Sequence, residues 1–254
     1  MKKRFLALTL ALAMTSALLA GCGDRKQRTT WITAVDRDFS PFVCADANGK
    51  AVGLDVELLD AIARDQNFRY ELRPSDWDTA MSVFTSHQAQ VLMGSIASSQ
   101  ERIDGGWFFS HSFYNGVTQS MAMEPSSDTN TLEDLAGKAA AVVSGTLGAA
   151  YAKSVKDKYG FSIATFSDSH SMYAAVLEGR AAACFEDTPA LRDSIAGGVA
   201  LELVPGSEGA ASDYCVAICD EKDRPFLELF NQGLANIRAN GIYDAILAKY
   251  ADTL

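Results

Sequence analysis

Pro125-Ser-Ser-Asp-Thr-Asn130 breaks a strand–helix rhythm that runs on both sides of it. A proline followed by short polar residues reads as a loop. Before it, Trp31-Ile-Thr-Ala-Val35 reads as a strand. Leu54 to Gln66 reads as a helix, with Val56, Leu59, Ile62 and Ala63 on one face. Phe68 to Arg73 is a second strand, Trp77, Ala80, Met81 and Phe84 form a helical stripe, and Gln90-Val-Leu-Met93 is a third strand. After the break, Leu135-Ala-Gly-Lys138 leads into a strand from Ala139 to Val143. A helix from Thr146 to Tyr159, a strand from Phe161 to Thr165, a helix from Ser171 to Glu178 and a strand from Ala181 to Phe185 follow. Such alternation predicts parallel α/β sheets. Gly206 to Ser212 is a second loop-like stretch, before a strand from Tyr214 to Cys219 and the helices Pro225 to Ala239 and Ile242 to Tyr250. Two α/β units with a return crossing predict two lobes joined by two strands, with a ligand cleft where strand ends and helix N-termini converge.

Residues 1–21 read as a leader rather than as part of the fold. Lys2, Lys3 and Arg4 precede an uncharged apolar run from Phe5 to Ala20, which is too short for the roughly 20 residues that span a bilayer. The run ends in Leu19-Ala-Gly-Cys22. Small residues followed by Cys match a bacterial lipoprotein signal, so Cys22 is the expected lipidation site and residues 22–30 a tether. The chain of 254 residues carries a formal charge of −10, and loss of the leader's cations makes the remainder more acidic still. That excludes a basic nucleic-acid footprint and suits a domain held near a membrane by lipid.

Cys44, Cys184, Cys215 and Cys219 remain. Four thiols allow three pairings that spacing does not separate. Cys215 and Cys219 lie about 13 Å apart along a strand, too far to bond one another. All four are expected to be small buried hydrophobes. No Cys/His spacing resembles a zinc site, and no cofactor or metal is expected. His87, His111 and His170 are scattered; His87 and His170 read as helix-surface residues.

From about Trp31 to Tyr250 the chain resembles the family-3 extracellular solute-binding proteins, the amino-acid receptors of bacterial ABC importers. The resemblance rests on Asp36-Arg-Asp-Phe-Ser-Pro-Phe42, Gly53-Leu-Asp-Val-Glu-Leu-Leu-Asp-Ala-Ile-Ala63, Asp76-Trp77, Met93-Gly-Ser-Ile-Ala-Ser-Ser-Gln-Glu-Arg102 and Phe109-Ser110. In the second half it rests on Leu135-Ala-Gly-Lys138, Ser144-Gly-Thr146, Glu178-Gly-Arg-Ala181, Phe185-Glu-Asp187 and Asn240-Gly-Ile-Tyr243. It implies a two-lobed, type II periplasmic-binding-protein fold with two hinge strands. Lobe 1 would comprise 31–117 plus 217–254, and lobe 2 residues 118–216.

The resemblance also implies a ligand site. Arg102 sits where the family clamps the ligand carboxylate, and a guanidinium fork offers two parallel bonds to that group. Ser144-Gly-Thr146 is a strand-to-helix turn whose free N–H groups and Thr146 hydroxyl would hold the carboxylate's other side. Asp187 follows an apolar strand and matches the ammonium partner. Phe39 and Trp77 match the flanking aromatics, and Asp36 matches a position that reads the ligand side chain. Glu186 is a further acid of undetermined direction. Ala97 replaces the family's usual hydroxyl, Ser95 replaces a glycine, and Val143 and Leu147 are apolar where polar-ligand receptors place polar groups. The implied ligand is an amino acid or a related small carboxylate.

The leading expectation is therefore an exported, lipid-anchored monomer at the outer face of the membrane or in the periplasm. It would deliver ligand to an importer permease and perform no catalysis. An exported dehydratase of the cyclohexadienyl type is the enzymatic alternative, with Glu186 beside Asp187 as its one candidate proton donor. A ligand-sensing partner of a receptor is the third.

Overall fold

The computed structural model describes residues 30–251 and residue 254, apart from the Ser95 side chain. Cys22 and the leader lie outside the described residues.

Two mixed sheets carry the chain. In the larger, the strand order is Arg69–Ser75, Thr30–Asp36, Val91–Ala97, Ser212–Ile218, Phe108–Phe109, and Tyr114–Val117 also pairs with Ser212–Ile218. In the smaller, it is Ser162–Phe166, Ala139–Val143, Ala183–Asp187, Gln119–Met123, Glu202–Leu203. A ribbon of Asp38–Phe39, Val43–Ala45 and Ala51–Val52 stands apart.

Each sheet is parallel at its centre, with Thr33 opposite Val91 in one and Ala140 opposite both Ile163 and Ala183 in the other. Each also accepts an antiparallel strand at the crossings: Tyr214 lies opposite Ala97, and Asp187 opposite Gln119. The parallel pattern expected from the alternation gives way there to antiparallel pairing, because parallel neighbours need a crossover connection and these strands enter directly from the other lobe.

Thr118 alone separates Tyr114–Val117 in the larger sheet from Gln119–Met123 in the smaller. On the way back, Gly209 N still donates to Gln119 O at 2.8 Å, and Ser212 already pairs with Val117. Residues 212–216, expected with the second lobe, thus pair in the larger sheet. Their strand is buried from Tyr214 to Ile218; its pairing shifts register around Val216, whose N–H instead donates to Ser110 Oγ at 2.9 Å.

The helix Leu54–Gln66 has the expected bounds, and Leu58, Leu59 and Ile62 are fully buried on it while Val56 is half-buried. It packs against Arg224–Ala239, whose Phe230, Leu234 and Ile237 share its core. Gly233 allows that approach, since a Cβ there would stand 2.8 Å from Ile62 Cγ2. The smaller sheet covers a separate core of Met121, Leu135, Val142, Phe161 and Phe185. The last expected helix ends as Ile242–Leu247, followed by a 3-10 turn over Ala248–Tyr250.

The four described cysteines are free. Cys184 and Cys215 are buried, but Cys44 and Cys219 are only half-buried, which corrects the expectation for those two. Cys219 ends beyond its strand, where its Sγ contacts Phe84 O at 3.3 Å and His87 Nδ1 at 3.6 Å. His87 itself lies past the helix Trp77–Thr85, exposed and with φ 60, rather than on it.

Candidate ligand-binding site

Four strands stop at one place. Asp36, Ala97, Val143 and Asp187 are the last residues of Thr30–Asp36, Val91–Ala97, Ala139–Val143 and Ala183–Asp187. All four line a cavity of about 30 Å³ between the lobes. Phe39, Trp77, Arg102, Thr146 and Leu147 line it too, so the structure gathers nine of the ten expected contacts. The tenth, Ser95, lies on the strand Val91–Ala97 and its side chain is not described. Carboxyl ends of sheet strands, from two sheets facing one another, are where α/β proteins form ligand crevices.

Helix starts supply the rest of the wall. Asp76 caps Trp77–Thr85 by accepting from Thr79 N at 3.0 Å, which sets Trp77 at the helix's first position. Ser99 caps Gln100–Asp104 and places Arg102 in its first turn. Thr146 caps Leu147–Tyr159, accepting from Ala149 N at 3.1 Å, and its own hydroxyl donates to Val143 O at 2.8 Å. The Thr146 hydroxyl is therefore committed within the turn, leaving the N–H groups of the helix start as the donors that face outward from it.

Two side chains bridge the cleft. Trp77 Nε1 donates to Ser144 O at 2.8 Å, and Arg102 Nη2 donates to Gly145 O at 2.9 Å. Arg102 Nη1 donates to Ala97 O at 2.7 Å on its own side. Gly145, at φ 71, gives the turn the backbone form that presents its carbonyl to Arg102 without a Cβ penalty. The indole of Trp107 lies 5.5 Å from the guanidinium carbon.

The acids are deeply set. Asp36 is 8 % exposed, Asp187 3 % and Glu186 1 %. Asp187 occupies the N-cap of Thr188–Ala196 yet makes no capping bond. Its Oδ1 accepts from Gln119 Nε2 at 2.9 Å, and its Oδ2 accepts from Tyr214 Oη. Burial raises its pKa on balance, against the lowering by those two donors. Glu186 Oε2 accepts from Ser169 Oγ at 2.7 Å and Oε1 from Asp187 N at 3.1 Å. Burial and then the neighbouring Asp187 charge push its carboxyl up. Asp36 Oδ1 accepts from Asp38 N at 3.0 Å, but burial dominates and lifts its pKa to about 7.

Gly94, Ile96 and Ser169 also line the cavity and carry no signal of their own in the sequence. Ser169 enters the site because Asp168 caps the helix Ser169–Leu177 and fixes its first residue at the cavity. Among the described residues no cluster of His, Cys, Asp or Glu could hold a metal ion. A guanidinium facing buried carboxyls, walled by Phe39 and Trp77, can recognise a small zwitterion by charge pairing in a medium of low dielectric.

Residues 32–253 match the profile of bacterial extracellular solute-binding proteins, family 3. The lysine/arginine/ornithine-binding periplasmic protein of Escherichia coli is 25 % identical, over 99 % of this chain and 98 % of its own. An ancestral arginine-binding protein solved with glutamine bound overlays with a TM-score of 0.79 at 25 % identity, covering 88 % of this chain and 98 % of that one. The second substrate-binding domain of Lactococcus lactis GlnP, solved in an open conformation, gives 0.60 at 28 % identity, covering 88 % and 96 %. These relatives are binding proteins and not enzymes. With two sheet-bearing lobes, two crossing strands and a cleft at the strand ends, the chain belongs to the bacterial extracellular solute-binding proteins of family 3.

Proposed function

We propose that the protein captures an amino acid, or a closely related small carboxylate, between its lobes and hands it to an ABC importer. One observation carries this reading: a single interlobe cavity combines the Arg102 guanidinium, buried carboxyls and two aromatic walls. The ligand carboxylate takes the place of Gly145 O on Arg102 and meets the N–H groups that start Leu147–Tyr159. Its ammonium pairs with Asp187, while Phe39 and Trp77 exclude water. Asp36, Ser95, Ala97, Val143 and Leu147 shape the remainder. The relatives support this by their names, which attach lysine, arginine, ornithine and glutamine to the same fold.

A cavity of about 30 Å³ admits a water-sized group and no amino acid, so uptake requires the lobes to part. Thr118 and the stretch from Gly209 to Ser212 are the crossings about which they would turn. Ligand contacts to both lobes then favour the closed state. Leu19-Ala-Gly-Cys22 supports attachment to the membrane through lipid on Cys22.

Thermal unfolding of the purified protein against amino acids and small organic acids tests the reading. A ligand at a hundred times its Kd stabilises by about 2.7 kcal/mol. Arg102→Ala should abolish the shift for any carboxylate ligand, and an undiminished shift sinks the assignment. Fatty-acid labelling in cells should be lost in Cys22→Ser; retained label would place the anchor elsewhere.

A further inference from the structure

The charges lining the cavity do not balance for an ordinary amino acid. Among the described lining residues Arg102 is the only cation, against Asp36, Glu186 and Asp187. A zwitterionic ligand satisfies Arg102 with its carboxylate and one acid with its ammonium. Two buried carboxyls remain without a counter-charge, a costly state in a dry site.

The hydrogen bonds around these carboxyls indicate how the imbalance is resolved. A carboxyl built to stay neutral directs its O–H at an acceptor. Both oxygens of Glu186 instead accept, from Ser169 Oγ and from Asp187 N, and Asp36 Oδ1 accepts from Asp38 N. These surroundings are organised for carboxylates. The geometry points to Glu186, acting with Asp36, as a specificity residue that admits a ligand bearing a second, side-chain cation and surrenders a proton to the solvent as that cation enters. This inference rests on the amino-acid reading above and narrows it to ligands with a cationic side chain.

Burial and the charges of Asp187 and Asp36 raise the Glu186 carboxyl, while Ser169 Oγ and Asp187 N lower it, and no cation faces it among the described lining residues. Asp187 follows it and Cys184 lies two residues before it on the same strand, while Tyr173 faces it from Ser169–Leu177, Tyr214 from the return strand and Asp36 from the first strand. Asp36 is in turn faced by Asp38, Asp76 and Asp168. With Arg102 taken by the ligand carboxylate, burial and like charge keep a proton on this pair near neutrality until a cation replaces it. Binding of a cationic ligand then releases protons, so affinity rises with pH across the neutral range, by about tenfold per pH unit for one proton.

Calorimetric titration with L-arginine and with L-citrulline, its uncharged isostere, tests this between pH 5.5 and 8.5 in two buffers of different ionisation enthalpy. L-Arginine should bind about tenfold more tightly per pH unit through neutrality with close to one proton released, and L-citrulline at least a hundredfold more weakly. E186Q should bind L-arginine at least tenfold more weakly, with a flattened pH profile and reduced proton release. Should E186Q fail to fold, Ser169→Ala leaves the carboxyl in place, removes a donor to it and should move the pH midpoint upward. An unchanged slope and proton count in E186Q, or an unmoved midpoint in Ser169→Ala, overturns the inference. Tight binding of L-glutamine without binding of L-arginine overturns it while leaving the amino-acid reading intact. Failure of every amino acid to bind removes both.

Discussion

Tyr214, fully buried on the return strand of the larger sheet, donates its hydroxyl hydrogen bond to Asp187 at the end of a strand in the smaller one. Gln119, the residue after the first crossing, donates to the other oxygen of the same carboxyl. Both chain crossings therefore terminate on one acid that lines the cavity. A charge arriving at Asp187 acts on the very contacts that join the lobes. That is a physical route from ligand to closure which needs no intermediate elements.

Tyr214→Phe isolates that link. The ring packs against Phe42 at 5.1 Å and tilts against Phe113 at 6.5 Å, and phenylalanine keeps both contacts. The lost hydroxyl leaves Asp187 with one side-chain donor and favours its neutral form. Stability should fall by about 1.5–3 kcal/mol, the worth of a hydrogen bond to a charged group. Because the bond favours the carboxylate, the loss should be larger in melts at pH 8 than at pH 5. Equal losses at both pH values would mean that the bond does not depend on charge.

Helices and inner strands are legible in the sequence because apolar periodicity marks them: Leu54–Gln66 and Ala139–Val143 have the bounds that spacing predicts. The short Asp38–Phe39, Val43–Ala45 and Ala51–Val52 ribbon is not, since strands of two or three residues carry no period. The helix Thr188–Ala196 is not among the elements that the alternation marks; Pro189 sits in its first turn, where proline is tolerated. In the site, Arg102 and Asp187 are legible through the motifs that carry the family resemblance. Their partners are not. Tyr214 reads as the first residue of an apolar strand, and Ser169 lies just before the expected helix start at Ser171; only the meeting of the two sheets brings them to Asp187 and Glu186.

Trp77→Phe removes the indole donor to Ser144 O and retains an aromatic wall. A neutral hydrogen bond contributes about 1 kcal/mol net, roughly a fivefold change in a two-state population. The unliganded variant should therefore sample the open form more, seen as a larger radius of gyration by small-angle X-ray scattering. An unchanged scattering curve would mean that Arg102 and the crossings hold the lobes without it.

Gly148→Ala should be far more damaging than a helix alanine normally is. A Cβ there would stand 2.4 Å from Phe185 O and 2.9 Å from its carbonyl carbon. Alanine improves helix propensity, but the backbone of Ala183–Asp187 cannot swing away as a side chain could. Loss of about 1–3 kcal/mol is expected, together with weaker ligand binding, because the shifted helix carries Thr146 and Leu147 out of the cavity. A variant as stable as the parent would show that helix and strand are less tightly seated.

Asp36→Asn should stabilise the protein, and only away from acid. Burial raises the Asp36 pKa from 3.8 to about 7, so the folded state holds a proton that the unfolded chain has lost. A raised acid contributes its full stability below pH about 4 and loses it as the pH rises through about 7. At about 1.4 kcal/mol per pH unit, ionising this carboxyl in place costs at most about 4 kcal/mol at neutrality. Asparagine keeps an oxygen for Asp38 N and carries no charge to bury. Denaturant melts should show Asp36→Asn above the parent by about 2–4 kcal/mol at pH 8, with the gap closing by pH 4. The same substitution should weaken a cationic ligand, so the gain in stability and the loss of affinity arise from one desolvated charge. If the gap persists at pH 4, the effect comes from packing or from the amide's own hydrogen bonds, and titration of Asp36 is not its cause.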